Sequence, residues 1–220
     1  MRNGKVLLWA SALMLPVAVA SRSVAATSQV IESWEGSANG WTTSSENSAY
    51  SIVGPVTTPG VTDGANSLQI DGTANLTYGQ LLDGPSTTDN TALLATANSV
   101  SIDVYNTDIG LFGGFQQWSL VLNGGGLGYH SVDGFSYSQT GATGEKTLTW
   151  TLADADRATL AANLATATQI IFQVGSGGNA GDARSIYIDN LRADLPEPGA
   201  IGLASVAALA ALVRRRGRRD

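Results

Sequence analysis

Between residues 30 and 192 the sequence breaks into ten short β-prone runs separated by clusters of Gly, Asn, Asp, Ser and Thr. The runs are Val30–Trp34, Tyr50–Val53, Ser67–Gly72, Asn75–Leu82, Ser99–Tyr105, Gln116–Leu122, Gly128–Val132, Lys146–Leu152, Ile170–Gly175 and Ser185–Arg192. Many short strands bounded by turn-forming residues pack as a sandwich or barrel. Several runs alternate strictly. Val100, Ile102 and Val104 share one face of their strand, and Ser101, Asp103 and Tyr105 the other. Leu148, Trp150 and Leu152 oppose Thr147, Thr149 and Thr151 in the same way. Successive β side chains point to opposite faces, so this pattern demands one buried and one wet face. The expected fold is all-β, a sandwich of antiparallel strands with one short helix. That helix is predicted over Asp154–Leu164, from the acids in its first turn and Leu160/Leu164 at i, i+4 spacing.

Composition narrows the chemistry. The 220 residues include no Cys, so disulfides, thiolate metal sites and Cys nucleophiles are excluded. His130 is the single histidine, which excludes a His-rich zinc site within one chain. The net charge of −6 averages two unlike parts. Residues 27–195 hold four bases (Lys146, Arg157, Arg184 and Arg192) against 16 acids, a net −12. Such a surface repels phosphate backbones, so no nucleic-acid partner is expected. The Gly-rich stretches 123–126 and 175–179 read as loops. No Lys-Ser/Thr follows either one, so neither is a phosphate loop.

The two ends read as addresses. Residues 1–26 open with Met-Arg-Asn-Gly-Lys, continue with an apolar run from Val6 to Ala20, and finish in small residues. Those are the parts of a signal peptide, with cleavage after Ala20 or after Ala26. Residues 196–220 carry Pro196-Glu197-Pro198, an apolar stretch from Ala200 to Val213, and a cluster that includes Arg214, Arg215 and Arg216. The prolines end the preceding strand. The apolar stretch can enter a bilayer transiently as a helix, with the arginines retained on the cytoplasmic side. This tail resembles the PEP-CTERM sorting signal of Gram-negative bacteria. The resemblance implies recognition by an exosortase-type enzyme, cleavage near Pro196–Pro198, and placement at the outer surface or in the extracellular matrix.

A second resemblance rests on Ile31-Glu32-Ser33-Trp34-Glu35-Gly36, the following Asn39-Gly40-Trp41, and Ser185-Ile186-Tyr187-Ile188-Asp189-Asn190-Leu191 near the domain's end. These segments are similar to the opening and closing strands of jelly-roll carbohydrate-binding modules and galactose-binding-like domains. The resemblance implies a jelly-roll β-sandwich over residues 27–195. It also implies a structural Ca²⁺ held by Glu35 and Asp189, with Glu32 or a backbone carbonyl. Hard oxygen ligands that join the two chain ends suit that ion.

The outward parity supplies candidate sugar-binding groups. Asp103, Tyr105, Gln117, Ser119 and Gln173 are expected to point outward with Val121 and Ile171, and Tyr129, His130, Phe135 and Tyr137 to form a rim. Amides, hydroxyls and carboxylates hydrogen-bond sugar hydroxyls, and a tyrosine ring can stack on a pyranose. Trp34, Trp41, Trp118 and Trp150 are expected in the core. Paired carboxylates at glycosidase spacing do not stand on any one strand. The expected protein is therefore exported, non-catalytic and polysaccharide-binding. A purely structural surface protein and a polysaccharide-active enzyme are the alternatives.

Overall fold

The structure is a computed structural model that describes residues 27–44, 50–72, 79–106, 115–139, 144–177 and 184–196. The expected signal peptide lies outside these residues, as do Glu197, Pro198, Arg214, Arg215 and Arg216. Among the described residues no helix is long and apolar enough to cross a membrane.

Two antiparallel sheets make the domain. The first runs in the order β3 (Tyr50–Val56), β4 (Ser67–Gly72), β11 (Arg184–Leu195), β6 (Ser99–Asn106) and β9 (Gly144–Thr151), with β1 (Thr27–Glu32) also paired to β11. The second runs β2 (Thr42–Thr43), β5 (Gly79–Asp83), β10 (Thr168–Gly177), β7 (Phe115–Gly124) and β8 (Gly128–Gln139). The non-sequential order mixes early and late strands in each sheet, so the pairings are long-range.

The parity rule selects the core. Val100, Ile102, Val104, Leu148 and Trp150 from the first sheet are fully buried, and so are Trp118, Leu120, Leu122, Ile170, Phe172 and Val174 from the second. Phe172 is the hub of the aromatic packing. Trp41 stacks on it with centroids 6.1 Å apart, Trp118 meets it edge-on at 6.4 Å, and Trp150 lies tilted at 5.7 Å. Burying each large apolar side chain contributes about 1.5–3 kcal/mol. All four tryptophans expected inside are there.

Among the described residues there are two helices where the sequence predicts one within the domain. α1 (Thr88–Leu94) is capped by Thr87, whose hydroxyl accepts the Asn90 N–H at 3.0 Å. Its signal, a Thr before a short Ala/Leu run, spans too few residues to show a period. α2 (Asp154–Ala162) carries Asp154 and Asp156 in its first turn, as expected. It ends before Leu164, so only Leu160 is buried and Leu164 stays half exposed. The two-residue β2 falls outside every predicted run. Other strands differ at their ends; Trp34, for instance, follows β1 rather than ending it.

One feature of β11 organises a whole side of the molecule. Its Arg184–Ile188 half pairs with β4, and its Leu191–Leu195 half pairs with β1 on the same edge. Asp189 and Asn190 fall at the handover. The register against β6 also shifts there, and Asn190 adopts φ 50°, a left-handed conformation that Asn tolerates.

Candidate functional site

At that handover the outer face of the first sheet carries two carboxylates directly opposite each other, Asp189 on β11 and Asp103 on β6. Like charges across a strand pair repel. Here donors separate and satisfy them. Asp189 accepts the backbone N–H of Thr62 at 2.7 Å, of Asp63 at 2.8 Å and of Asn190 at 2.7 Å. Asp103 accepts from the Thr62 hydroxyl at 2.7 Å, Thr147 at 2.5 Å, Asn190 Nδ2 at 2.9 Å and Arg192 at 3.3 Å. The Thr62 hydroxyl also reaches Asp189 at 3.3 Å, so it sits between the two acids.

The two acids respond differently. Burial pushes Asp189 up and outweighs its backbone hydrogen bonds, leaving its carboxyl above the ordinary value. Burial also pushes Asp103 up. Bonds from Thr147, Thr62 and Asn190, with the Arg192 charge, more than offset that and hold it below the ordinary value.

These contacts fasten the segment 57–66 across the sheet. Gly60 lies against Tyr187 and Tyr105, so close that an added Cβ would stand 2.7 Å from the Tyr187 Cβ. The two rings meet edge to face at 6.1 Å. Asp103 and Tyr105 are thus engaged in holding a loop. Glu35 grips the same segment further along, accepting from Ala65 N–H at 3.0 Å and from Asn66 Nδ2 at 3.4 Å.

Of the three acids expected to hold Ca²⁺, Glu35 and Asp189 converge on one loop, while Glu32 does not. It caps Ser33 and Trp34 at 3.0 and 2.9 Å and accepts from Asn39 at 2.8 Å. Both carboxylate oxygens of Glu35 and of Asp189 accept from N–H donors, and so does Oε1 of Glu32. Among the described residues no group of three His, Asp or Glu is placed to share a metal. As arranged, Glu35 and Asp189 serve as acceptors that hold the 57–66 segment, and Glu32 serves the Ser33–Asn39 turn.

The remaining candidate residues lie on the opposite side of the molecule. Gln117, Ser119, Gln173 and Tyr129 belong to β7, β10 and β8 of the second sheet, so they cannot form one site with Asp103 and Tyr105. The backbone register places Gln117 opposite Gly175 on that sheet. Ser119 lies opposite Gln173, and its hydroxyl donates to the Gln173 carbonyl oxygen at 3.2 Å. Gln173 Nε2 in turn donates to the Tyr129 hydroxyl at 2.8 Å. Tyr129 pairs with Asn123, so its side chain reaches Gln173 diagonally, across two strands. Val121 and Ile171 form the rung between, share the outward parity and are buried. The alternation predicts exposure for Ser119, Val121 and Ile171; each is at most 1% exposed. Tyr129 itself is 56% exposed. The result is an accessible tyrosine tied at its hydroxyl.

His130, expected at a rim, lies 3.1 Å from Asp156 of α2. Phe135 and Tyr137 lie within β8.

CBM27-1 of Caldicellulosiruptor saccharolyticus, solved in complex with mannohexaose, superposes with a TM-score of 0.51 at 14% identity. The match covers 76% of this chain and 96% of that one. The fold is that of the jelly-roll carbohydrate-binding modules. A second such module, of the β-sandwich superfamily and described as promiscuous in specificity, matches with a TM-score of 0.50 at 16% identity. There the match covers 79% of this chain but 64% of the other, so the chain spans less than two thirds of that structure. No protein-family model matches the sequence, and no curated protein does.

Within this jelly roll, sequence reasoning missed Thr62, Asn190 and Arg192, the donors that organise the acidic pair. The turn-rich Thr62–Asn66 segment marks a loop. Nothing local says that the loop docks on strands 41 and 127 residues further along.

Proposed function

We propose that the domain is a non-catalytic polysaccharide-binding module whose binding face is the outer face of the second sheet, centred on Tyr129. The observation that carries this reading is the Ser119–Gln173–Tyr129 chain of hydrogen bonds, which ties down an exposed aromatic ring at its hydroxyl. A ring held in place loses little conformational freedom on binding, which favours stacking against a flat sugar face. The net charge of −12 over residues 27–195 favours a neutral polymer over a polyanion. The similar modules with mannohexaose and with promiscuous specificity support the ligand class, not the particular sugar. A non-catalytic role is supported by the acidic pair, because Asp103 and Asp189 are buried beneath donors rather than open to a glycosidic bond.

Calorimetry and affinity electrophoresis against neutral polysaccharides test the reading. Tyr129→Ala is expected to weaken binding about tenfold, the equivalent of about 1.4 kcal/mol. Tyr105→Ala, on the opposite side, is expected to leave affinity unchanged in the folded variant. Binding that survives Tyr129→Ala and fails in Tyr105→Ala would overturn the choice of face. No binding by the folded wild-type domain would favour a purely structural surface protein.

Export and exosortase-type sorting belong to the same proposal. The Thr27–Leu195 rung sets the first residue of β1 beside the last residue of β11. Mass spectrometry of the mature protein is expected to find its C-terminus near Pro196–Pro198, and an intact Asp220 would refute processing there.

A further inference from the structure

We propose that β1 is an exchangeable strand, and that the Leu191–Leu195 edge of β11 accepts β1 from a second copy of this chain. The inference rests on how little β1 contributes beyond its backbone. Thr27, Ser28, Gln29 and Val30 all point to solvent, with Val30 47% exposed. Ile31 alone among the β1 side chains packs partly against the core. Among the named strands, β1 pairs with β11 and with no other. The strand has no Pro and no charge before Glu32, so it lacks the devices that usually guard a strand edge.

The segment after β1 is, by contrast, firmly held. Trp34 and Trp41 are buried, meet edge-on at 5.6 Å and lock the chain to the core. The hinge between the loose strand and this anchor is short and strained. Trp34 takes φ 50°, a left-handed conformation unfavourable for a bulky side chain, and the Glu32 carboxylate bridges the turn by accepting the Ser33 and Trp34 N–H groups.

An exchanged β1 makes the same rungs on a neighbour's β11 as it makes on its own, while an extended hinge releases the Trp34 strain. Exchange of an identical element is a low-cost route to association. Within one chain the short hinge holds β1 at an effective concentration on the order of millimolar. The protein is therefore monomeric when dilute and exchanges where copies are crowded, as on a surface. This association goes beyond polysaccharide binding and does not depend on it, because β1 and Tyr129 lie on different sheets.

The absence of native cysteines makes the test clean. Ser28 and Asp194 face each other on one rung, at a separation an antiparallel pair offers for disulfide closure. In the detergent-solubilised full chain, Ser28→Cys is mixed with Asp194→Cys and oxidised across a concentration series. A mass tag on one variant identifies the mixed species. Ser28→Cys mixed with Thr151→Cys is the control, because Thr151 on β9 is not adjacent to β1. The double variant Ser28→Cys/Asp194→Cys in one chain reports the rung itself.

The expected result is an intrachain bond in the double variant. The single variants should give a mixed dimer at least severalfold above the control as concentration approaches millimolar. Equal yields in the rung pair and the control would overturn exchange. Failure of the folded double variant to close within its own chain would overturn the β1–β11 rung on which exchange depends.

Discussion

Replacing Asp103 by Ala tests whether the polar cluster on the first sheet holds the domain together. The substitution removes the acceptor for Thr62, Thr147, Asn190 and Arg192 at once. Breaking a buried ion pair from one side costs about 3–5 kcal/mol, because the remaining charge is stranded. The Arg192 side chain is 22% exposed and regains some water, which places the expectation near the lower end, about 3 kcal/mol. For a domain of this size that corresponds to a fall of roughly 6–12 °C in Tm. Asp103→Asn keeps the shape and one good acceptor, so it should cost about 1–2 kcal/mol. Thermal and urea denaturation at neutral pH measure both variants. A fall of less than about 2 °C for the Ala variant, equal to that for Asn, would refute the reasoning. The pH dependence adds a second check. Asp103 is held below its ordinary value, so its stabilisation is fully present above the unfolded value and is lost as pH falls through the folded one. The gap between wild type and Asp103→Ala should therefore narrow in acid. Asp189 acts in the opposite sense. Its raised value means that ionisation costs stability as pH rises through the folded value, so it cannot produce the same narrowing.

Two further outcomes concern the same loop. Gly60→Ala is expected to destabilise the domain by about 1–3 kcal/mol, from overpacking against the tyrosines. The φ of 84° at this position adds backbone strain, and a neutral result in denaturation would show that the loop yields. The melting temperature is expected to be the same in EGTA and in millimolar Ca²⁺, since N–H donors occupy the carboxylates of Glu35 and Asp189. A Tm that climbs with calcium concentration would show that these carboxylates turn to a cation instead.

The amino-acid pattern by itself determined the layers of this protein. Alternation at Val100–Tyr105 and Lys146–Leu152 is a local property of the pleated chain, so it reveals which side chains face the core without knowledge of any partner strand. The same holds for the burial of Trp118 and Trp150, and for the acids opening α2. Local pattern cannot say which sheet a strand joins. Asp103 and Gln173 both read as outward polar residues, yet β6 and β10 lie in different sheets, and the supposed common sugar face divides in two. Nor does parity disclose exposure. Val121 and Ile171 obey the outward alternation and are still buried. The acidic pair shows the limit most clearly. Its partners arrive from a loop and from separate strands, and only the closure of long-range pairings brings them within hydrogen-bond range. Periodicity is written residue by residue along the chain, whereas a site is written across strands, so the sequence determined the sandwich and the tertiary structure decided where anything could bind.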